Sequence, residues 1–321
     1  GRLAGVHDGR TQEGLRMSAG ETGPTPTDSL PSDATFLAEL PAGAEVMEVA
    51  FTEERRPDQT VFLEFPRSFQ RRAARIGRAP EQTAPPPEDH LLILAVPTSD
   101  LQNAETLERV ARWTDVEAGP LKSCQLMTLQ GAIIAWNERR YAVLGTPERL
   151  ETLRAAVIDA AFYDMELREI ERSLGASWPQ WEADLPLAFD FPQRAMPKRK
   201  ALLQRFQQSL RLRARLARIA PQVHTPHIHP PTLASQVGER LRERMQMTHR
   251  HEFLSDQVEV FERVYELCGQ RASDYQLTRS GNMLEWVIIV LLLTQILFSG
   301  FDLLTSSTAS AASGAATSRV N

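Results

Sequence analysis

The chain has 321 residues, 42% hydrophobic and 24% charged, with a formal net charge of −5. That is an ordinary globular composition, enough for one sizeable domain or two small ones. Only two cysteines occur, Cys124 and Cys268, far apart and without a CxxC pair. This excludes a disulfide framework and a cysteine-rich metal module, and fits a reducing compartment.

Lysine is nearly absent: Lys122, Lys198 and Lys200 stand against 33 arginines, which reads as the codon bias of a GC-rich genome. The charge is unevenly spread. Residues 194–250 hold 13 Lys and Arg against Glu239 and Glu243, about +11, which leaves about −16 for the rest. Such a block suits nucleic acid, anionic lipid or an acidic partner.

Residues 1–16, ahead of Met17, read as a tag or upstream read-through. They lack the apolar core of a secretory signal, and Asp8 and Glu13 argue against a transit peptide. Residues 17–35 are Gly, Pro, Ser, Thr and acids, which predicts a disordered segment over 1–35. An α+β unit is expected over 36–145. "EVMEVAF" (45–51) and "TVFLEF" (60–65) alternate as half-buried strands do, and "HLLILAV" (90–96) is apolar throughout, as a central strand is. Residues 79–89 form a proline-rich loop and 105–116 a short helix. Strands follow at 124–129, 132–137 and 141–145, the last two joined by a turn at "NERR".

From Thr146 the period becomes helical, with Thr146 as N-cap, Pro147 at the first position and Gly175 as the expected stop. Leu150, Leu153, Val157, Ala161, Leu167 and Ile170 form its apolar stripe. Six Trp and Pro residues over 176–197 predict an irregular connector. Helices are expected at 198–220, ending before Pro221, and at 232–248. A fourth, from 250 towards 280, carries a coiled-coil-like seam of Leu254, Val258, Phe261, Tyr265 and Cys268. Packing inside a bundle and dimerisation both remain open for that seam.

"LEWVIIVLLLTQILFSGF" (284–301) is the sharpest physical signal. No charge occurs from Trp286 to Phe301, and with its flanks the segment reaches the roughly 20 residues that cross a bilayer. Trp286 suits an interface, and Thr294 and Gln295 fall mid-segment. A single transmembrane anchor is therefore expected over 281–304, with a disordered tail over 305–321. Cationic residues gather on its N-terminal side, so a tail-anchored protein is expected, its bulk in the cytoplasm at a bacterial inner membrane. The fold class expected is α+β: a mixed N-terminal unit, a helical region over 146–280 and one membrane helix.

The last third resembles the domain-of-unknown-function-155 family, which includes the yeast "required for meiotic nuclear division" proteins. The shared pattern is an Arg- and Leu-rich helix, a Thr-Pro elbow (Thr225–Pro226), a helical hairpin and an anchor. The anchor opens with Leu284, Glu285, Trp286, Val287, Ile288 and Ile289. The resemblance is closest over 200–300. It implies no enzymatic activity, and its mitochondrial members are implicated in holding translation machinery at a membrane. Two departures stand out: histidines around the elbow, where the family has acidic and aromatic residues, and Gln295, where it often has glutamate.

Three candidate sites follow. His224, His227 and His229 in the Pro-rich elbow (221–231) are candidate metal ligands, weighed against uncommitted imidazoles in a linker. Arg205, Arg211, Arg215 and Arg218 form a basic patch open to lipid, to RNA or the ribosome, or to solvent alone. Asp164, Glu166 and Glu169 read as a solvated helix face. No Gly-rich phosphate loop, GxSxG or HExxH is present. The expected function is a non-catalytic membrane scaffold or assembly factor without a cofactor. It would self-associate and meet the bilayer and an unidentified membrane protein. Ribosome or RNA tethering and metal binding by the His cluster are the alternatives.

Overall fold

The computed structural model describes residues 33–54, 59–77, 86–87, 89–115, 124–224 and 231–317. The expected disordered segment, apart from its last three residues, lies outside this set. So do most of the proline-rich loop and the elbow from Thr225 to Pro230, with His227 and His229.

Seven strands form one mixed sheet: β1 (Glu45–Thr52), β2 (Val61–Glu64), β3 (Arg72–Ile76), β4 (His90–Pro97), β5 (Gln125–Leu129), β6 (Ala132–Asn137) and β7 (Arg140–Gly145). Their spatial order is β2-β3-β1-β4-β7-β6-β5. β4, the all-apolar run, lies fourth of seven and pairs in parallel with β7, while every other neighbour is antiparallel. A parallel pair needs a crossover, here supplied by helix α2 (Ala104–Asp115) and the β5–β6 hairpin. Burial on both faces explains the run: Leu91 and Ile93 join one core, Leu92, Leu94 and Val96 the other.

The "NERR" turn is as expected, with Asn137 paired to Arg140. Between β5 and β6, Gln130 and Gly131 both have positive φ, the two-residue hairpin geometry that follows strand twist. β3, "RAARI", was not expected; its alanines Ala73 and Ala74 are fully buried between β2 and β1.

Helices α1 (Asp33–Ala38) and α2 cover one sheet face. The other face carries α3 (Pro147–Asp184), and beyond it α4 (Arg199–Val223), α5 (Leu233–Arg244) and the first part of α6 (Met247–Thr317). α3 begins after Thr146, with Pro147 in its first turn. It does not stop at Gly175 but runs through Pro179 to Asp184, so the expected connector is largely helix, followed by two 3-10 turns. The residue whose carbonyl a helical proline crowds is the fourth before it, here Gly175. The segment is held because Trp178 and Trp181 pack on Phe261 of α6, at ring-centroid distances of 4.9 and 5.4 Å.

Three further boundaries differ from expectation. α4 continues past Pro221 to Val223, α5 ends at Arg244, and α6 is one unbroken helix of 71 residues. α6 therefore carries the expected fourth helix, the anchor and most of the expected tail, as far as Thr317. Gln246, with φ 53°, makes the turn from α5 into it.

Candidate functional site

α6 has two surroundings along one backbone. Its first part is built into the body. Leu254, Val258, Phe261, Tyr265, Cys268 and Ala272 are all buried, facing α4, α3 and the 3-10 turn at Leu185–Ala188. Three cross-links show that α4 and α6 run antiparallel. Arg199 Nη1 donates to Gln276 Oε1 at 2.7 Å, Arg213 pairs with Glu262, and His224 Nε2 lies 3.4 Å from His251 Nδ1. The heptad-like seam is thus closed within the chain, as bundle packing. Burial and the nearby Asp184 carboxylate push the Cys268 thiol up to about 11.

The second part has no cover. Leu284, Glu285, Trp286, Val287, Ile288, Ile289 and Gln295 are all exposed on α6, Trp286 at 68%. This helix contains a window with mean hydropathy 2.0, none of it buried, and it is the one helix among the described residues long and apolar enough to cross a membrane. A soluble core helix of such composition would be buried; this one projects from the body. Within the span, Thr294 Oγ1 donates to Val290 O at 2.7 Å. The Gln295 carboxamide has no hydrogen-bond partner among the described residues.

The basic patch does not form one surface. Arg205 pairs with the buried Asp184, and Arg215 Nη2 lies 3.0 Å from Glu166 Oε2, whereas Arg211 and Arg218 are exposed. Arg215 and Arg218 open on a cleft of about 570 Å³ between α3, α4 and the sheet. Arg71, Arg139, Arg168 and Arg172 reach it from other elements, and Glu53, Asp89, Glu138, Glu166 and Glu169 line it too. Its charges are largely matched: Glu166 also meets Arg71 at 3.4 Å, Arg172 pairs with Glu169, and Arg139 Nη1 donates to Pro86 O at 2.9 Å. Glu166 and Asp164 are therefore not a solvated face.

Asp164 is fully buried at the centre of an ion cluster that sequence reading missed. Arg250 Nη1 and Arg168 Nη2 each lie 2.6 Å from one of its oxygens. Arg250 also grips Glu171, with Nε at 2.7 Å and Nη2 at 3.0 Å, tying the first turn of α6 to the middle of α3. Burial opposes the Arg250 charge, but Glu171 and Asp164 outweigh it and hold its pKa above the usual range. Burial, and then Asp164, raise the phenol of Tyr141. The available signal was the i, i+4 pair Asp164–Arg168 on a helix whose apolar stripe runs through the same turns.

His224 lies against His251, while His227 and His229 fall outside the described residues. His251 Nε2 donates to Leu216 O at 3.0 Å, which leaves its Nδ1 towards His224. Among the described residues no three His, Cys, Asp or Glu side chains gather to hold a metal ion.

No family model matches this chain, and no curated protein matches it.

Proposed function

We propose that this chain is a single-pass, membrane-anchored scaffold of non-catalytic type, which holds its folded body close to a bilayer for partners in or beside that membrane. One observation carries the reading: α6 is a continuous helix, its first part built into the core and its later part apolar and bare. From Gln276, which accepts a hydrogen bond from Arg199 of α4, to Leu284 is 8 residues, so the body stands about 12 Å from the apolar span on a helical stalk. Tethering of this kind raises the effective concentration of the body for membrane-bound partners. Arg271 and Arg279 on the near side of the span favour the cytoplasmic side for the body, at a bacterial inner membrane. The resemblance to the domain-of-unknown-function-155 family at Leu284–Ile289 supports the same reading.

The test is removal of residues 284–321. The truncated chain should leave the membrane fraction and unfold at the same temperature as the detergent-solubilised full chain. Sedimentation with membranes in high salt after truncation would refute the anchor.

The exposed Arg211 and Arg218 favour a second reading, ribosome or RNA tethering through 194–250. Cosedimentation with ribosomes should then fall steeply with salt, and fall further in Arg211→Ala/Arg218→Ala.

A further inference from the structure

The polar residues of the membrane span are not scattered. At 100° per residue, Glu285, Gln295 and Ser299 fall within an arc of about 80°, with Ile288 and Leu292 between them. Their spacing, 285, 288, 292, 295 and 299, alternates three and four, the a/d pattern of a helix–helix seam. Trp286, Val290, Leu293 and Leu297 take the opposite side. The one polar side chain off the stripe, Thr294, is satisfied by its own backbone. Gln295, close to the middle of the span, has no such partner among the described residues.

From this we propose that the stripe Glu285–Ile288–Leu292–Gln295–Ser299 is a membrane-embedded interface, and that its occupant is the same stripe of a second, parallel copy of this chain. The inference rests on the anchor reading above and deepens it. A carboxamide carries both donors and an acceptor, so two Gln295 side chains facing each other satisfy one another. In hydrocarbon the alternative is an unpaired amide, because water is absent. Ser299 allows the backbones to approach closely one turn further on.

Two more observations point to a second copy. On a straight helix the stripe lies about 150° from the seam at Cys268, Ala272 and Tyr275, the side of α6 that faces the body. A second α6 thus reaches the stripe without displacing α4. In addition, the seven-residue frame that contains Ile288 and Gln295 passes through Phe253 and Val260. These large apolar side chains are 58% and 47% exposed on the body half of the helix. A left-handed supercoil keeps such a frame on one side. The matching Glu285 carboxylates sit at the water interface, where their repulsion is screened.

The experiment uses the full-length chain in native membranes, with Cys124→Ser and Cys268→Ala removing background thiols. Single cysteines are placed along the span and joined by oxidation. Crosslinked dimers of this chain are expected at positions 288, 292 and 299, and not at 290, 293 and 297. In detergent micelles Gln295→Leu should raise the dimer dissociation constant about 3- to 20-fold, while Gln295→Asn stays close to the parent. Glu285→Gln should strengthen the dimer, because it removes a like-charge pair. Crosslinking on the opposite face, equal dimerisation of Gln295→Leu, or adducts only with another protein would overturn the proposal. Weakened association in Glu285→Gln would also overturn it, since that favours a cationic partner helix. Alkaline extraction separates the two readings. A chain that stays in the membrane as a monomer overturns the dimer alone; a chain that is released overturns the anchor as well.

Discussion

The two parts of α6 share a backbone and little else. From Leu254 to Ala272 every third or fourth side chain is buried against α4 and α3, and mostly polar residues fill the positions between, the exposed Val260 being an exception. From Trp286 to Phe298 apolar side chains occupy nearly every position and none is covered. The first pattern needs a protein neighbour on one side only; the second needs an apolar surrounding on all sides. The lesson is that burial in a fold is read from periodicity, and burial in lipid from the loss of it.

The strongest challenge to this division lies at the root of the helix. Arg250→Met removes a cation from the fully buried Asp164 and releases Glu171, and should destabilise the body by about 4 kcal/mol. Thermal unfolding of the full-length chain in detergent checks this; an unchanged midpoint would mean that the Asp164 cluster does not hold α6 to α3. Slightly smaller is the effect of Phe261→Ala, about 3 kcal/mol, since it empties the space under Trp178 and Trp181. The matched change in the bare part, Phe298→Ala, should leave the same midpoint where it was. If both variants unfold alike, the two parts are not energetically separate.

A reactivity measurement sharpens the comparison from the buried side. With its thiol pushed up to about 11, Cys268 is thiolate in roughly one molecule in a thousand at pH 8. Alkylation by N-ethylmaleimide, followed by mass spectrometry, should be at least tenfold slower in the folded chain than in denaturant. The smallest effect is at Asp159. Burial raises the pKa of its carboxyl, while Arg242 acts the other way. The folded state therefore prefers the protonated acid. Whatever stability this contributes is present below the ordinary carboxylate pKa and is lost as pH rises through the raised folded value. Asp159→Asn should raise the unfolding midpoint modestly at pH 7 and leave it unchanged at pH 3.

Much of the fold was legible because single residues carry it. The unbroken run in β4 marks a strand covered on both faces, and Thr146–Pro147 marks the start of α3. The apolar span announces itself by composition. The misses have physical causes. β3 is short and contributes alanines, so its burial leaves little apolar signal. Gly175 and Pro179 each favour a break on local grounds, and the aromatic contact with Phe261 overrides them. The candidate sites were harder. The arginines at 205, 211, 215 and 218 look alike in sequence, yet two are tied to buried or half-buried carboxylates from α3 and two are free of such pairs among the described residues. Arg250 carries more structural weight than any of them, through partners about 80 residues away along the chain.

The unbroken course of α6 also fixes an angle. No proline, glycine pair or loop separates the body from the span, so the rotation of the body about the membrane normal is set by the number of residues between Ala272 and Leu284. Each residue added there turns the body by about 100° relative to the Gln295 stripe, and adding four returns it to within about 40°. Any surface the body presents to a neighbour along the membrane has its compass bearing written in that count.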